Sequence, residues 1–356
     1  MHRHRGHPVP SLSSARRGPR ALLAGLAAVL VGVTACSSPS RSGPATARLR
    51  NPTVGALAAT RGAQGSVMPP RAHGVATTMV PPLPRPRPQP VRPLVLPPLP
   101  GEGSWSGAGQ PGRSGYAIFT TQLRAQPGLP EAGLAWIDPA VTKLVLYAGS
   151  AEPYGSWPQQ SYVAQSLQPS LIGAFNSGFK IYSYSTGWYD QGRTALPLEA
   201  GAASLVIFAN GTATVGEWAR DVAASSTVVA VRQNLTLLVD HGAPTPQAQI
   251  PSDWGAVLGG GATTWRSGIG VTSGGDLVYA AGPDLTPALL AELLVAAGAV
   301  RAMQLDINPE WVSFATFSRA GAGGALIGTN LLPGMYFAPS HYLEPYSRDF
   351  FAVFAR

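Results

Sequence analysis

The stretch Thr286-Pro287-Ala288-Leu289-Leu290-Ala291-Glu292-Leu293-Leu294-Val295-Ala296-Ala297-Gly298-Ala299-Val300-Arg301-Ala302-Met303-Gln304-Leu305-Asp306 changes period partway along. Thr286 is a good N-cap, and Pro287 suits the first helical position. Leu290, Leu293, Leu294 and Ala297 recur at i, i+3, i+4 and i+7, which predicts a helix with one apolar face. Gly298 fits its C-terminal cap. An apolar strand, Ala302–Asp306, follows and ends on a carboxylate. Outward from this unit, short β-branched and aromatic runs alternate with turn residues from Tyr116 to Phe354. Asn210-Gly211 and Ser273-Gly274-Gly275 each predict a tight hairpin. A second helix is expected over Gln159–Leu167, feeding a strand that ends at Asn176. The fold class is therefore α+β: a strand-dominated single domain over residues 116–356, with a mixed or antiparallel sheet and few helices.

The segment before Tyr116 has another character. Residues 1–115 hold 14 Lys+Arg and one acid, a net of +13, whereas residues 116–356 hold 11 and 16, a net of −5. The excess positive charge thus lies outside the globular part, which lacks the clustered basic face that nucleic-acid binding requires. A basic start, the apolar run Ala21–Val33 and then Val33-Thr34-Ala35-Cys36 read as a signal peptide over residues 1–35, followed by a lipidation site at Cys36. The run is too short for a permanent bilayer span, which needs about 20 residues. A Cys merely adjacent to an ordinary cleavage site is the plainer alternative. Residues 36–115 read as a lipidated, disordered tether rich in Pro, Gly, Ser and Arg. Ten of the 21 positions from Val80 to Pro100 are proline, which favours extended polyproline II. The Arg, Ala and Pro usage suits a GC-rich actinobacterial genome. The expected location is extracytoplasmic, anchored to the cell membrane as a lipoprotein.

No G-x-S-x-G elbow, H-E-x-x-H, Walker loop or dinucleotide fingerprint occurs. Three clusters at strand ends carry the chemistry instead. In Asn176-Ser177-Gly178-Phe179-Lys180, Asn176 and Lys180 would fix a hydroxyl, carbonyl or phosphate; a tight turn is the alternative. In Trp265-Arg266-Ser267-Gly268-Ile269-Gly270, Arg266 with Ser267 suits forked contact with a phosphate; a surface Arg paired with a carboxylate is the alternative. In Asp306-Ile307-Asn308-Pro309-Glu310-Trp311, three oxygen-bearing side chains within five residues suit acid/base work or a divalent metal, and Trp311 would stack on a sugar. A turn before Pro309 is the alternative there. Asp190 is a further candidate for the pocket lining, and His341 reads as a structural or solvated loop histidine, with a base as the alternative.

The order and spacing of these clusters over Leu171–Arg356 resemble the phosphodiester glycosidase family. Its Asn-Gly-Gly-Phe segment looks like Asn176-Ser177-Gly178-Phe179, and its Arg-Thr-x-x-Gly segment looks like Arg266-Ser267-Gly268-Ile269-Gly270. Its helix and Leu-Asp-Gly-Gly-Gly-Ser segment look like Thr286–Gly298 with Leu305-Asp306, but here Ile307-Asn308-Pro309-Glu310 replaces the glycines. The resemblance implies an exported hydrolase acting on a sugar-1-phosphodiester or related glycosidic bond of an envelope glycopolymer. Asp306 and Glu310 would be catalytic, and Asn176, Lys180, Arg266, Ser267, Asn308 and Trp311 would bind substrate. No cofactor is required by this reading, and a divalent metal is compatible with it. Two other readings stand: a non-catalytic glycan-binding lipoprotein using Trp157, Trp188, Tyr189, Trp265 and Trp311, and a structural envelope protein with a vestigial pocket.

Overall fold

The computed structural model describes residues 87–356 apart from Ser185 and Ala322. The expected signal peptide, the expected lipidation site at Cys36 and the first part of the expected tether lie outside the described residues. Among the described residues three sheets are present, and every pairing between their strands is antiparallel. The largest has eight strands in the order Ser106–Ala108, Ile118–Arg124, Glu131–Ile137, Leu277–Leu285, Thr264–Thr272, Ala299–Ile307, Leu237–Asp240 and Ala243–Pro244. A second, five-stranded sheet runs Arg193–Leu196, Trp188–Asp190, Val228–Gln233, Ala203–Phe208 and Ala213–Glu217. The third runs Leu326–Asn330, Phe314–Arg319, Leu171–Asn176, Phe350–Ala355 and Thr142–Tyr147.

Alternation along the strands sends apolar side chains to two cores. One face of the eight-stranded sheet contributes Ile269, Val271, Met303 and Leu305 to a cluster shared with Ile207 and Val215 of the second sheet and Phe175 and Phe351 of the third. The other face packs under the helix Pro287–Ala296. That helix forms where the sequence places it: the Thr286 side chain accepts from Leu289 N–H, and Gly298 follows at φ +93°. Leu290, Leu293 and Leu294 are fully buried, each worth on the order of 2 kcal/mol. Gly268 makes this contact possible, since a Cβ there would lie 2.9 Å from Leu294 Cδ1. Both predicted hairpins are present, Ile207 facing Ala213 and Val271 facing Leu277.

Two expectations change. Residues 87–115 belong to the domain rather than to a tether. Val91 and Val95 are buried, Ser106–Ala108 pairs with Ile118–Arg124, and buried Glu102 receives Arg124 Nη2 at 3.0 Å. The prolines mark a chain without its own hydrogen-bond ladder, but that chain still gains burial by lying on the sheet. The helix expected over Gln159–Leu167 does not form. Ala148 N–H donates to Gln159 O and Ser161 N–H donates to Ala148 O, which draws the segment into a bridge, and Ser161 sits at φ +68°. A four-residue helix, Ile181–Tyr184, appears after Lys180 instead. Among the described residues no helix is long and apolar enough to cross a membrane.

Candidate active site

The central feature is a bulge in the Ala299–Ile307 strand. Gly268 faces Gln304, and Arg266 faces Ile307, so Leu305 and Asp306 together oppose Ser267. An extra residue shifts the alternation of side chains. Gln304 therefore points to the helix side, while Asp306 contacts Arg348 in the chain entering Phe350–Ala355. Asn234 holds the bulge: its Nδ2 donates to Gln304 O (3.0 Å) and Leu305 O (2.8 Å), and its Oδ1 accepts from Phe179 N–H (3.3 Å).

Asp306 is 5% exposed. Its Oδ2 accepts from Arg348 Nη2 at 2.7 Å, and its Oδ1 accepts from Ile307 N–H at 2.8 Å. Burial pushes its carboxyl up to about 6, against the attraction of Arg348. Arg348 also donates to Gly178 O (2.9 Å) and lies 3.3 Å from Glu152 Oε1 through its Nε, although that contact is not aligned as a hydrogen bond. Burial pulls the Arg348 guanidinium down, but Asp306, Asp349 and Glu152 together hold it above the ordinary arginine value. The Trp311 ring covers it, with the guanidinium carbon 4.8 Å from the ring centroid, and Lys180 Nζ lies 6.0 Å from the same ring. Lys180 is exposed and Trp311 half-buried, so this is where the buried pair reaches the surface.

A second buried pair supports the first. Arg232 Nε donates to Asp349 Oδ2 at 2.7 Å, and Trp188 Nε1 donates to the same oxygen at 3.2 Å. Arg232 further donates to Thr186 Oγ1, Gln233 O and Phe179 O. Glu152 Oε2 accepts from Ile181 N–H at 2.9 Å, tying the short helix to the site. Arg348, Asp349, Glu152, Arg232 and Asn234 were absent from the sequence-based candidates. The signal for the first two was available, because Arg348-Asp349 enters the apolar strand Phe350–Ala355 as Asp306 leaves its own. The other three come from segments whose position only the fold reveals.

Ser267 meets Asp306 through its backbone, and Asn176 reaches it only by way of Ser267. Asn176 Nδ2 donates to Ser267 Oγ (2.9 Å) and Ser177 O (2.8 Å), and its Oδ1 accepts from Tyr279 Oη (2.9 Å) and Ser313 N–H (3.1 Å). Ser267 Oγ donates to Asp306 O (3.0 Å) and accepts from Asp306 N–H (3.2 Å). Every polar group of the Asn176 amide is thereby used inside the protein. These two residues hold the Asp306 strand against the third sheet, which is a positioning task rather than ligand contact.

Arg266 does not join them. It is fully buried, and lies next to Ser267 on a strand, so it points to the opposite face. Its Nε donates to Leu285 O (2.9 Å), and its Nη1 donates to Trp254 O (3.1 Å) and Gln304 Oε1 (2.8 Å). Burial lowers its pKa to about 10. In this structure Arg348, rather than Arg266, is the guanidinium at the Asp306 carboxylate. The two sequence-based alternatives for Arg266, phosphate contact and a carboxylate pair, both give way to bonds with carbonyl oxygens under the helix.

Asn308 performs the turn role. At φ +73° its Oδ1 accepts from Leu258 N–H (3.0 Å) and Thr264 Oγ1 (3.3 Å), and its Nδ2 donates to Ala256 O (3.3 Å). Its oxygen is thus turned away from a shared metal site with Asp306. Among the described residues no group of three or more His, Cys, Asp or Glu side chains is placed to hold a metal ion. Glu310 is half-buried, and its Oε2 is shielded from solvent without a hydrogen-bond partner among the described residues. His341 is structural in its contacts: Nδ1 lies 2.7 Å from Ala338 O, the ring is 3.7 Å from that of Tyr342, and burial lowers its pKa to about 4.

The chain matches no family model and no curated protein. Among solved structures it shares a loose likeness of fold with the zebrafish N-acetylglucosamine-1-phosphodiester alpha-N-acetylglucosaminidase catalytic domain, auto-inhibited by its pro-peptide. The identity is 11% and the TM-score 0.45, over 71% of this chain and 88% of that one. A hypothetical protein from Synechocystis is 13% identical, with a TM-score of 0.37 over 67% of this chain and 62% of that one.

Proposed function

We propose that this chain is an exported hydrolase, anchored outside the cytoplasmic membrane through Cys36, that cleaves a sugar-1-phosphodiester or related glycosidic bond of an envelope glycopolymer. The observation that supports this reading best is the buried Asp306 carboxyl, raised to about 6, in contact with Arg348 beneath Trp311 and beside Lys180. A phosphodiester arriving at Trp311 would exchange places with the Asp306 carboxylate on Arg348, with Lys180 adding a second positive charge. Asp306, released from its cation but still buried, would hold a proton near neutral pH and could donate it to the leaving oxygen. Glu310 is the second carboxylate such a reaction normally uses. Trp311 would stack on the sugar ring.

The test is sugar release from sugar-1-phosphodiester polymers by the full chain and by Asp306→Asn and Arg348→Lys. Activity in the unaltered protein and a loss of at least a hundredfold in each variant supports the assignment. Activity that survives both substitutions removes these residues from the reaction. Radiolabelled fatty-acid incorporation that persists in Cys36→Ser would refute the anchor.

One observation favours a second reading, a glycan-binding lipoprotein without turnover. Both Asp306 oxygens already accept hydrogen bonds inside the protein. Retention of the polymer by the unaltered protein, with no sugar released, selects that reading.

A further inference from the structure

A cavity of about 600 Å³ lies away from Asp306, between the edge of the third sheet and the second sheet. One wall is the free edge of the Thr142–Tyr147 strand, which ends its sheet. On that edge Leu144 N–H donates to Gly211 O (3.1 Å) and Ala148 N–H donates to Gln159 O (3.0 Å). Backbone groups of an antiparallel strand face alternate edges. The N–H and C=O of Leu146, midway between, therefore face the cavity, where no described strand pairs with them. Leu146 is buried, so an unanswered N–H and C=O there are costly.

These two hydrogen bonds close the strand edge at either side of the cavity, and the two ends differ in charge. Lys143 and Arg356 line the Leu144 end, where Arg356 Nε donates to Thr142 O. Asp190 lies toward the other end, because its strand carries Trp188, whose ring is 4.4 Å from that of Trp157, just before Gln159. Asp190 is 4% exposed, and its carboxylate accepts no hydrogen bond from any described residue. Arg193 attracts it, but spends its guanidinium on Ser156 O and on the Trp157 ring 4.2 Å away. Tyr147 also lines the cavity, and its hydroxyl is buried without a partner.

We propose that this cavity binds a short peptide with free termini, lying antiparallel to Thr142–Tyr147. Its ammonium would meet Asp190, the C=O and N–H of one residue would meet Leu146, and its carboxylate would meet Lys143 and Arg356. The distance from Lys143 to Tyr147, four strand steps, is about 13 Å, which sets a length of three or four residues. Leu146, Ile207 and Phe354 supply apolar walls for small side chains. The site is separate from Asp306, so it does not depend on the hydrolase reading.

Calorimetric titration of the full chain with trialanine and tetraalanine at pH 7.5 tests it. The expected result is that at least one of the two binds saturably. N-acetylation or C-amidation weakens that binding at least tenfold, Asp190→Asn does the same to the free peptide, and Val229→Trp, which fills the cavity, abolishes it. Asp306→Asn leaves it unchanged. Failure of both peptides to bind, equal binding of blocked and free forms, or binding that survives Val229→Trp overturns the proposal. The blocked peptides are titrated into unaltered protein, so a misfolded variant does not obscure the outcome.

Discussion

Replacing Arg348 with alanine isolates the energetics of the buried carboxylate. Above pH 6 the unaltered protein keeps Asp306 ionised against Arg348, with its carboxyl pushed from 3.8 to about 6 by burial. That costs about 3 kcal/mol relative to the unfolded chain, at roughly 1.4 kcal/mol per pH unit. Without Arg348, Asp306 is expected to stay protonated in the fold, since burial is the largest effect on its carboxyl. At pH 7.5 that protonation costs about 5 kcal/mol, since the unfolded carboxyl titrates near 3.8. The difference, about 2 kcal/mol, is the pH-dependent part of the loss. Lost bonds to Gly178 O and lost packing under Trp311 add about 1–3 kcal/mol that does not depend on pH. The total, about 3–5 kcal/mol, agrees with the general cost of removing one partner from a buried pair. The sign follows from the raised carboxyl: both proteins hold Asp306 protonated at pH 4.5, so the pH-dependent part is absent there and appears as pH rises past about 6. Urea unfolding of both proteins at pH 4.5 and 7.5 measures it. A stability deficit that is the same at the two pH values, or below about 1 kcal/mol at pH 7.5, refutes the placement of Arg348 on Asp306.

Thr286→Ala removes the cap on Leu289 N–H and should cost about 1 kcal/mol in the same unfolding experiment. Gly298→Ala meets Thr272 Cγ2 at an ordinary 3.7 Å, so its expected loss, about 1 kcal/mol, comes from the φ of +93° alone. Asn176→Ala leaves Tyr279 Oη, Ser313 N–H and Ser267 Oγ short of a partner and should lower stability by about 3 kcal/mol, whatever its effect on turnover. For His341, burial lowers the pKa to about 4. The stability held by its neutral ring is present above pH 6.5 and lost as pH falls toward 4, so His341→Gln should flatten the acid limb of the melting-temperature profile.

Sequence by itself determined the features whose causes are local. Thr286, the leucine spacing and Gly298 specify a helix within a dozen residues, and Asn210-Gly211 specifies a turn within two. A carboxylate closing an apolar strand likewise marked Asp306, because burying a charge demands a partner wherever the strand is placed. Only the tertiary structure decided which partner. One extra residue, placed by the bulge between Gln304 and Ile307, turns Asp306 toward Arg348, while Arg266 projects under the helix to carbonyl oxygens. Likewise, proline content marked residues 87–100 as lacking a ladder of their own, yet could not tell that Val91 and Val95 find a sheet to lie on. Face and burial depend on contacts between residues far apart in the chain, and a register shift of one residue reverses them.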